Sequence, residues 1–278
     1  MIKLNRDLSA VPNAFLGGNH QKLQVKLLKA KQKAKAGKVE FDSKVWKAAK
    51  EQLKNESRKK CAYCESPTTI VAHGDVEHFR PKSKYWWLAY CYHNYLFACQ
   101  ICNQTFKKDE FPVKSNRGRL RAPKVPSSSS KNVIEQAAAK LAPEPKNEPA
   151  VNAYIASVLM EAADLVDPYI EDPEALLAWG VDETLREVSI LPMNQQNRSL
   201  RAMKAAENYY GLNRDDLRNE RFRKYKEIRI YAEVVRKGNL PGSLIVDSQK
   251  ALKDAMNADA PYAGMARYFI KDIWNVQV

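Results

Sequence analysis

Two pairs of cysteines in this sequence have a spacing that suits a metal ion. Cys61 and Cys64 enclose two residues, and so do Cys99 and Cys102. Each pair can hold one side of an ion from a tight turn, and four thiolates in two such pairs are typical of structural zinc. Free or redox-active thiols are the alternative interpretation. Cys91 stands outside this pattern, and we expect it to be a small buried side chain.

Residues near these cysteines can bind a second metal and accept a proton. Glu77, His78 and Asn94 lie between the two pairs, and Asn103 directly follows the second pair. Carboxylate and amide oxygens suit Mg²⁺ or Mn²⁺, while a histidine titrates near neutral pH and can take a proton from water. A metal that stabilises charge on phosphate, together with such a base, predicts a phosphodiester hydrolase.

Each of these residues also has an ordinary structural interpretation. A single histidine such as His78 is usually hydrogen-bonded within a core, and asparagines such as Asn94 and Asn103 often serve in turns and caps. Their joint position beside two cysteine pairs favours a functional site. The remaining histidines lack such neighbours and are expected to be structural: His20, His73 and His93.

The elements that carry these residues must bring two distant segments together. The first cysteine pair anchors a strand that leads to Glu77 and His78, and the second fixes the start of a helix that carries Asn103. Adjacent residues on a regular strand face opposite sides. The strand must therefore end or bend near His78, and Pro81 favours a bend because proline cannot continue a ladder of hydrogen bonds.

The order of these residues resembles that of the HNH endonucleases. The resemblance is carried by Cys61, Cys64, Glu77, His78, Asn94, Leu96, Cys99, Cys102, Asn103 and Lys107. Further stretches are similar to the HNH proteins encoded beside an ATPase in Septu-type and related retron anti-phage systems. These stretches are CAYCE, VEHFRPKS, YWWLAY, NYLFACQICN and FPV and, more loosely, LVDPYIEDPEALLAW and YYGLNRDDLRNER.

The resemblance implies a fold that is α+β and mainly α-helical, with a zinc-stapled ββα-metal finger embedded in helices. In this finger, a two-stranded hairpin and a helix surround one catalytic metal. His78 would be the general base, Asn94 would orient its loop, and Glu77 and Asn103 would hold Mg²⁺ or Mn²⁺. The four paired cysteines would hold the separate structural Zn²⁺. The residues expected to bind phosphates are Arg80, Lys82, Lys84, Lys107 and Lys108.

The sequence departs from the family pattern in two places. Histidine often stands where this chain has Asn103, which predicts activity with a weaker hold on the metal. The segment CYHN before the middle asparagine also differs from the family.

The function implied by the resemblance is a metal-dependent endonuclease in anti-phage defence. It would cleave nucleic acid, with DNA favoured over RNA, and work with an ATPase partner. The alternative is a non-catalytic zinc module that binds nucleic acid or a partner protein. Such a module needs the cysteines and the basic charge, but not Glu77, His78 and Asn103 together.

The bulk composition agrees with a nucleic-acid partner. The 278 residues carry a net charge of +14, which predicts affinity for polyanions. The sequence has no apolar run long enough for a membrane span and no signal peptide. We therefore expect a cytoplasmic protein with reduced thiols and no membrane partner.

Four regions are expected along the chain. They are a basic helical region (1–60), the finger (61–120), a linker or surface insertion (121–149) and a helical region that is a candidate for partner docking (150–278). Proline and serine mark the third region, which a short helix near 134–141 interrupts.

Within these regions, residue patterns predict individual elements. Gly37 ends a lysine-rich helix, and a second helix runs from Asp42 or Ser43 to Lys54. Residues 68–71 have strand-forming side chains. The helices expected further on are 152–163, 198–210, 215–236 and 261–274.

Two features have competing interpretations. The lysines between Lys22 and Lys38, Lys35 included, either contact phosphates or form a solvated helix face. The aromatic residues of YWWLAYCYHNYLFAC either stack on bases or, as is more usual for a dense aromatic run, form core.

Overall fold

The computed structural model describes residues 1–34, 38–70, 72–127 and 129–278. Most of this chain is helical, and its strands form two antiparallel two-stranded sheets, so the expected mainly helical α+β class is confirmed. The α-helices are α1 (Gly17–Lys33), α2 (Ser43–Lys47), α3 (Lys50–Glu56), α4 (Lys131–Ala138), α5 (Glu148–Met160), α6 (Asn197–Tyr210), α7 (Asp215–Lys237), α8 (Gly242–Met256) and α9 (Ala263–Arg267). The strands are β1 (Asp75–His78), β2 (Tyr95–Ala98), β3 (Leu177–Asp182) and β4 (Glu187–Pro192).

Shorter helical segments complete the described structure. The π-helices are Ile101–Lys107 and Tyr268–Ile273. The 3₁₀-helices are Leu8–Ala10, Asn13–Phe15, Trp86–Leu88, Tyr92–Asn94, Asn116–Gly118 and Pro173–Ala175. No helix among the described residues is both long enough and apolar enough to cross a membrane.

The described part of the N-terminal region contains three α-helices where two helices were expected. α1 ends at Lys33, and the predicted stop at Gly37 lies outside the described residues, as does Lys35. The second helix begins as predicted, because the Asp42 carboxylate accepts a hydrogen bond from a backbone N–H in the first turn of α2. It is interrupted near Ala49, so α2 and α3 are separate helices.

β1 and β2 pair directly, and a π-helix follows them. The register aligns Asp75 with Ala98 and His78 with Tyr95. Two strands followed by a helix is the order expected for the finger. The strand ends at His78, where the sequence analysis expected it to end or bend.

The prediction of a strand at residues 68–71 is wrong for residues 68–70, the part of this stretch that the structure describes. Thr69 and Ile70 lie in a turn, and the N–H of Ala72 donates to the carbonyl of Thr68 at 3.0 Å. The chain must reverse here between the cysteine turn and β1, and the local turn overrides strand propensity. Val71 lies outside the described residues.

The aromatic run between the strands forms core. All seven of its aromatic side chains are buried: Tyr85, Trp86, Trp87, Tyr90, Tyr92, Tyr95 and Phe97. Buried rings present no free face to a base, so these residues stabilise the fold.

The stretch 121–149 contributes to the same core. α4 overlaps the helix predicted near 134–141 but begins three residues earlier, and it buries Ile134 and Ala138. It packs against α1, and the His20 ring at the start of α1 hydrogen-bonds the carbonyl of Ala142 at 3.2 Å. The hydrophobic core includes residues from all four sequence regions.

The C-terminal region has the predicted helices and two elements that the sequence patterns did not reveal. α6, α7 and the final helical segment begin and end close to the expected residues, and Gly211 ends α6 with a φ of 60°. The β3–β4 hairpin and α8 were not predicted.

Candidate metal centre and adjoining cavity

The four paired cysteines converge on one point. The sulfur atoms of Cys61, Cys64, Cys99 and Cys102 all lie within 4.8 Å of one another, and those of Cys64 and Cys99 are 4.0 Å apart. A tetrahedral ion with Zn–S distances of about 2.3 Å has sulfur–sulfur edges of about 3.8 Å. The donor set and spacing therefore fit Zn²⁺.

Local backbone hydrogen bonds shape both cysteine turns. The N–H of Glu65 donates to the carbonyl of Cys61 at 3.0 Å, and the N–H of Cys102 donates to the sulfur of Cys99 at 3.4 Å. The N–H of Ala62 donates to the carbonyl of Phe97 at 2.9 Å, which joins the first turn to β2. The turn and the sheet are thus one hydrogen-bonded unit.

Arg214 is a partner of this centre that the motif did not reveal. It lies between α6 and α7, and its Nη1 is 3.7 Å from the sulfur of Cys102. Burial lowers the pKa of Arg214, but the nearby thiolates of Cys102 and Cys64 outweigh burial and raise it. Four thiolates exceed the charge of one Zn²⁺ by two, so a guanidinium stabilises the centre. Arg214 is 112 residues from Cys102, and no local pattern marks it.

A cavity of about 230 Å³ is lined by the predicted base, His78, and by the predicted metal ligands, Glu77 and Asn103, whereas Asn94 is not among its lining residues. Its lining residues are Trp46, Val76, Glu77, His78, Pro81, Lys82, Asn103, Gln104, Lys108 and Asp109. The strand end and the π-helix start therefore meet as the sequence analysis expected. Trp46, from α2, was not expected there.

The His78 ring is held in one orientation. Its Nε2 is 3.0 Å from the carbonyl of Ala89, and a carbonyl only accepts, so Nε2 carries the proton and Nδ1 is the acceptor in the neutral ring. The rings of Trp46 and Tyr95 pack edge-on against the His78 ring, each with its centroid 5.0 Å from the imidazole centroid. Burial, followed by the charge of Lys82, lowers the pKa of His78 to about 3, so the ring is neutral at pH 7.

Glu77 forms a buried ion pair. Its Oε1 is 2.5 Å from the Nζ of Lys107, which also donates to the carbonyl of His78 at 3.2 Å. Burial raises the pKa of Glu77, and Lys107 opposes this rise. Lys107 thus fixes the end of β1 and stabilises the carboxylate.

Asn103 is held by an acidic residue that the sequence analysis did not single out. Its Nδ2 donates to the Asp75 carboxylate at 3.1 Å, and Gln104 donates to the same oxygen at 2.8 Å. Because the amide nitrogen of Asn103 donates to Asp75, the amide oxygen is the atom that can bind a metal ion. Asn103 and Glu77 both line the cavity, and an amide oxygen together with a carboxylate is a donor pair that suits a hard divalent cation.

Asn94 holds the loop that follows His78. Its Oδ1 accepts from the N–H of Arg80 at 2.8 Å, and its Nδ2 donates to the carbonyl of Arg80 at 3.0 Å. The Asn94 carbonyl also accepts from the N–H of Phe79 at 2.9 Å. These contacts are those that a loop-positioning residue requires.

The expected phosphate-binding residues fall into two groups. Lys82 and Lys108 line the cavity, and Lys84 is exposed with its Nζ 3.7 Å from Glu110. Arg80 and Lys107 require correction, because both are buried in ion pairs, Arg80 with Glu161 at 2.8 Å and Lys107 with Glu77. The residue type alone does not reveal whether a basic side chain within a motif faces solvent or is buried.

Three further residues are buried, as expected for structural side chains: His20, His93 and Cys91. The His93 ring is 3.4 Å from the carbonyl of Pro145. Cys91 is buried, and burial raises the pKa of its thiol to about 11. His73 is exposed.

Comparison with known proteins finds a relative that is similar to part of this chain. The four-cysteine group defines a candidate zinc centre, but no family model matches the chain and no solved structure matches it. The chain is similar to the Septu protein PtuB of Bacillus mycoides (strain KBAB4), with 32% identity over 139 residues. The match spans 44% of this chain and 46% of that protein, so it covers less than half of the relative's length.

Proposed function

We propose that this chain is a metal-dependent HNH endonuclease that acts in an anti-phage defence system with an ATPase partner. One observation carries the proposal: His78, Glu77 and Asn103 border one cavity, and Asn103 directly follows Cys102 of the four-cysteine group. The similarity to a Septu protein supports the assignment to defence.

In the proposed reaction, His78 is the base. Its Nδ1 takes a proton from water because Nε2 is committed to the carbonyl of Ala89. The low pKa of His78 keeps the ring in its acceptor form at neutral pH. A phosphate that enters the cavity adds negative charge, which favours the imidazolium and raises this pKa toward the range of an effective base.

Glu77 and Asn103 are the proposed ligands of Mg²⁺ or Mn²⁺. The bound ion supplies stabilisation of the negative charge that builds up on the phosphate and the leaving oxygen. Lys82 and Lys108 line the same cavity and orient the phosphate by charge. A phosphorus–oxygen bond forms with water, the bond to the leaving oxygen breaks, and that oxygen takes a proton from solvent.

Metal dependence tests this proposal. The purified chain is incubated with plasmid DNA and with structured RNA, first after removal of loosely bound metal and then with Mg²⁺ or Mn²⁺. Cleavage should require the added ion and stop on chelation. Zinc content is measured in every sample, because loss of the structural ion would also stop cleavage.

The outcome that contradicts the proposal is an absence of cleavage under all these conditions, including with the ATPase present. Nucleic-acid binding without cleavage would favour the non-catalytic zinc module.

We also propose that residues 150–278 bind the ATPase partner. Truncation cannot test this cleanly, because Arg214 contacts the metal centre. Hydrogen exchange of the full chain, with and without the proposed ATPase partner, should show slowed exchange within 150–278. Slowed exchange confined to residues before 150 would contradict this assignment.

A further inference from the structure

We infer that the lysine-rich face of α1 is a second nucleic-acid contact surface, which leads the sugar–phosphate backbone to the His78 cavity. The choice of ligand rests on the proposed function. The surface itself lies on a helix that contributes no lining residue to that cavity.

Four lysines form one stripe along α1. Lys22, Lys26, Lys29 and Lys33 follow at intervals of four, three and four residues, which places them on one helix face. All four are exposed, and the buried residues of α1 lie on the opposite side. At 1.5 Å per residue the stripe is about 16 Å long.

The sequence around this stripe contains no opposing charge. No Asp or Glu lies between Asp7 and Glu40, while the stretch from Lys22 to Lys38 contains seven lysines, both ends included. A solvated helix face is usually laced with charges of both signs, and like charges at this spacing destabilise a helix. An unbalanced stripe therefore indicates a polyanionic ligand more than a simple solvated surface.

Among the described residues, only one lysine of the stripe forms an ion pair with a carboxylate. The Nζ of Lys26 lies 2.5 Å from the Asp42 carboxylate. Among the described residues, no carboxylate lies within ion-pair distance of Lys22, Lys29 or Lys33. These three side chains are available to phosphate.

The stripe borders a groove with a volume of about 900 Å³. Its lining residues are Lys22, Val25, Lys26, Lys29, Ala30, Lys33, Ala34, Lys38 and Glu40. The groove has small apolar residues between basic ones, and a single carboxylate among the described lining. One strand of DNA carries a phosphate about every 3.4 Å, so the stripe matches roughly five phosphates.

α2 connects this groove to the cavity. Its cap, Asp42, pairs with Lys26 at the groove. One turn further, Trp46 lines the cavity, and its ring lies 5.0 Å from the ring of His78. The exposed lysines of α2 continue the positive charge between the two sites: Lys44 and Lys47.

Charge removal on α1 tests the inference. The α1 variant retains the pair between Lys26 and Asp42 and combines Lys22→Gln, Lys29→Gln and Lys33→Gln on α1 with Lys38→Gln, which lines the same groove beyond the end of the helix. The matched control removes the same charge from exposed positions of α7 and α8. It combines Lys226→Gln, Lys237→Gln, Lys250→Gln and Lys253→Gln. Both sets are made in a His78→Ala background, so that binding is measured without cleavage.

The probes are a labelled DNA duplex and a single-stranded RNA, with Kd measured by fluorescence anisotropy over a range of salt concentrations. The α1 variant should bind at least one of them about tenfold more weakly than the His78→Ala parent, with a slope of log K against log salt that is shallower by about three. The control should change Kd by less than about threefold. Thermal melts of both variants should match that of the parent, because all the substituted lysines are exposed.

Equal Kd values and slopes for the two variants would overturn the inference. Unchanged nucleic-acid binding with loss of the ATPase partner would assign the face to an acidic protein surface and would overturn it equally. Neither result bears on the proposed cleavage, which is tested separately by its metal dependence and by His78→Ala. If that variant cleaves normally, the proposed function fails and the binding comparison still stands.

Discussion

At the scale of single residues, buried charges organise both the metal centre and the cavity. Arg214 lies beside the thiolates, and Lys107 lies beside Glu77. A buried charge is tolerated when an opposite charge lies within contact distance. Each of these cations therefore has a role in holding a site, although neither needs to contact a substrate.

Arg214→Met should weaken the hold on zinc. The thiolate of Cys102 would lose the guanidinium 3.7 Å away, and loss of a partner that supports metal ligands typically costs roughly tenfold in affinity or more. The measurement is the rate of zinc transfer to a colorimetric chelator. Arg218→Met, which removes a partly buried arginine one turn further along α7, is the control. Equal rates for the two variants would contradict the role of Arg214.

The His93 ring should make the fold less stable in acid. Burial, aided by the charge of Arg6, lowers the pKa of His93 from 6.5 to about 4. Below pH 6.5 the unfolded chain takes up a proton that the native ring does not, so stability falls as pH falls toward 4. Between pH 7 and 5 this loss is about 2 kcal/mol.

Denaturant unfolding of wild type and His93→Gln at both pH values checks this prediction. The variant should lose about 2 kcal/mol less than wild type over the same interval. An identical pH dependence would show that the ring does not titrate as described.

At the scale of elements, the site depends on how β1 enters and leaves its short pairing with β2. Gly74 precedes β1 with a φ of 61°, and Asn94 holds the loop that follows β1. Each end of the strand is thus fixed by one residue.

Gly74→Ala should destabilise the protein by about 2 kcal/mol and reduce cleavage. A Cβ at this position would lie 2.3 Å from the ring of Phe97, and its positive φ disfavours any side chain. The free energy of unfolding and the cleavage rate are measured together. Gly18→Ala is the control, because a Cβ there meets nothing within 4 Å, and a similar loss in the control would contradict this explanation.

At the scale of the whole molecule, the cysteine turn links regions that are far apart in sequence. It hydrogen-bonds to β2, and its Tyr63 ring stacks on Tyr210 of α6 with centroids 3.9 Å apart. The four-cysteine group therefore lies where residues 61–120 meet the C-terminal helices.

Removal of zinc should lower the melting temperature of the entire chain by more than about 10 °C, in one cooperative transition. Calorimetry of the zinc-loaded and chelated protein measures this shift. A chelated protein that melts at the original temperature would show that the four cysteines hold no stabilising ion.

The sequence predicted the parts of the site that depend on local spacing. Each cysteine pair encloses only two residues, and Asn103 directly follows the second pair, so short local spacings indicated which residues belong to the site. Burial of Arg80 and Lys107 did not follow, because the partner of Arg80 is 81 residues away, on a different element. Arg214 also comes from a distant turn, and such tertiary contacts leave no local periodicity.

The most direct test of the central claim is a single substitution at the proposed base. Cleavage by His78→Ala is compared with cleavage by wild type and by His73→Ala, an exposed histidine just before the same strand, with zinc content and melting temperature matched across all three. The account predicts that His78→Ala loses cleavage by a factor of about a hundred or more, while His73→Ala retains it. Normal cleavage of both DNA and RNA by a folded, zinc-loaded His78→Ala protein would contradict it.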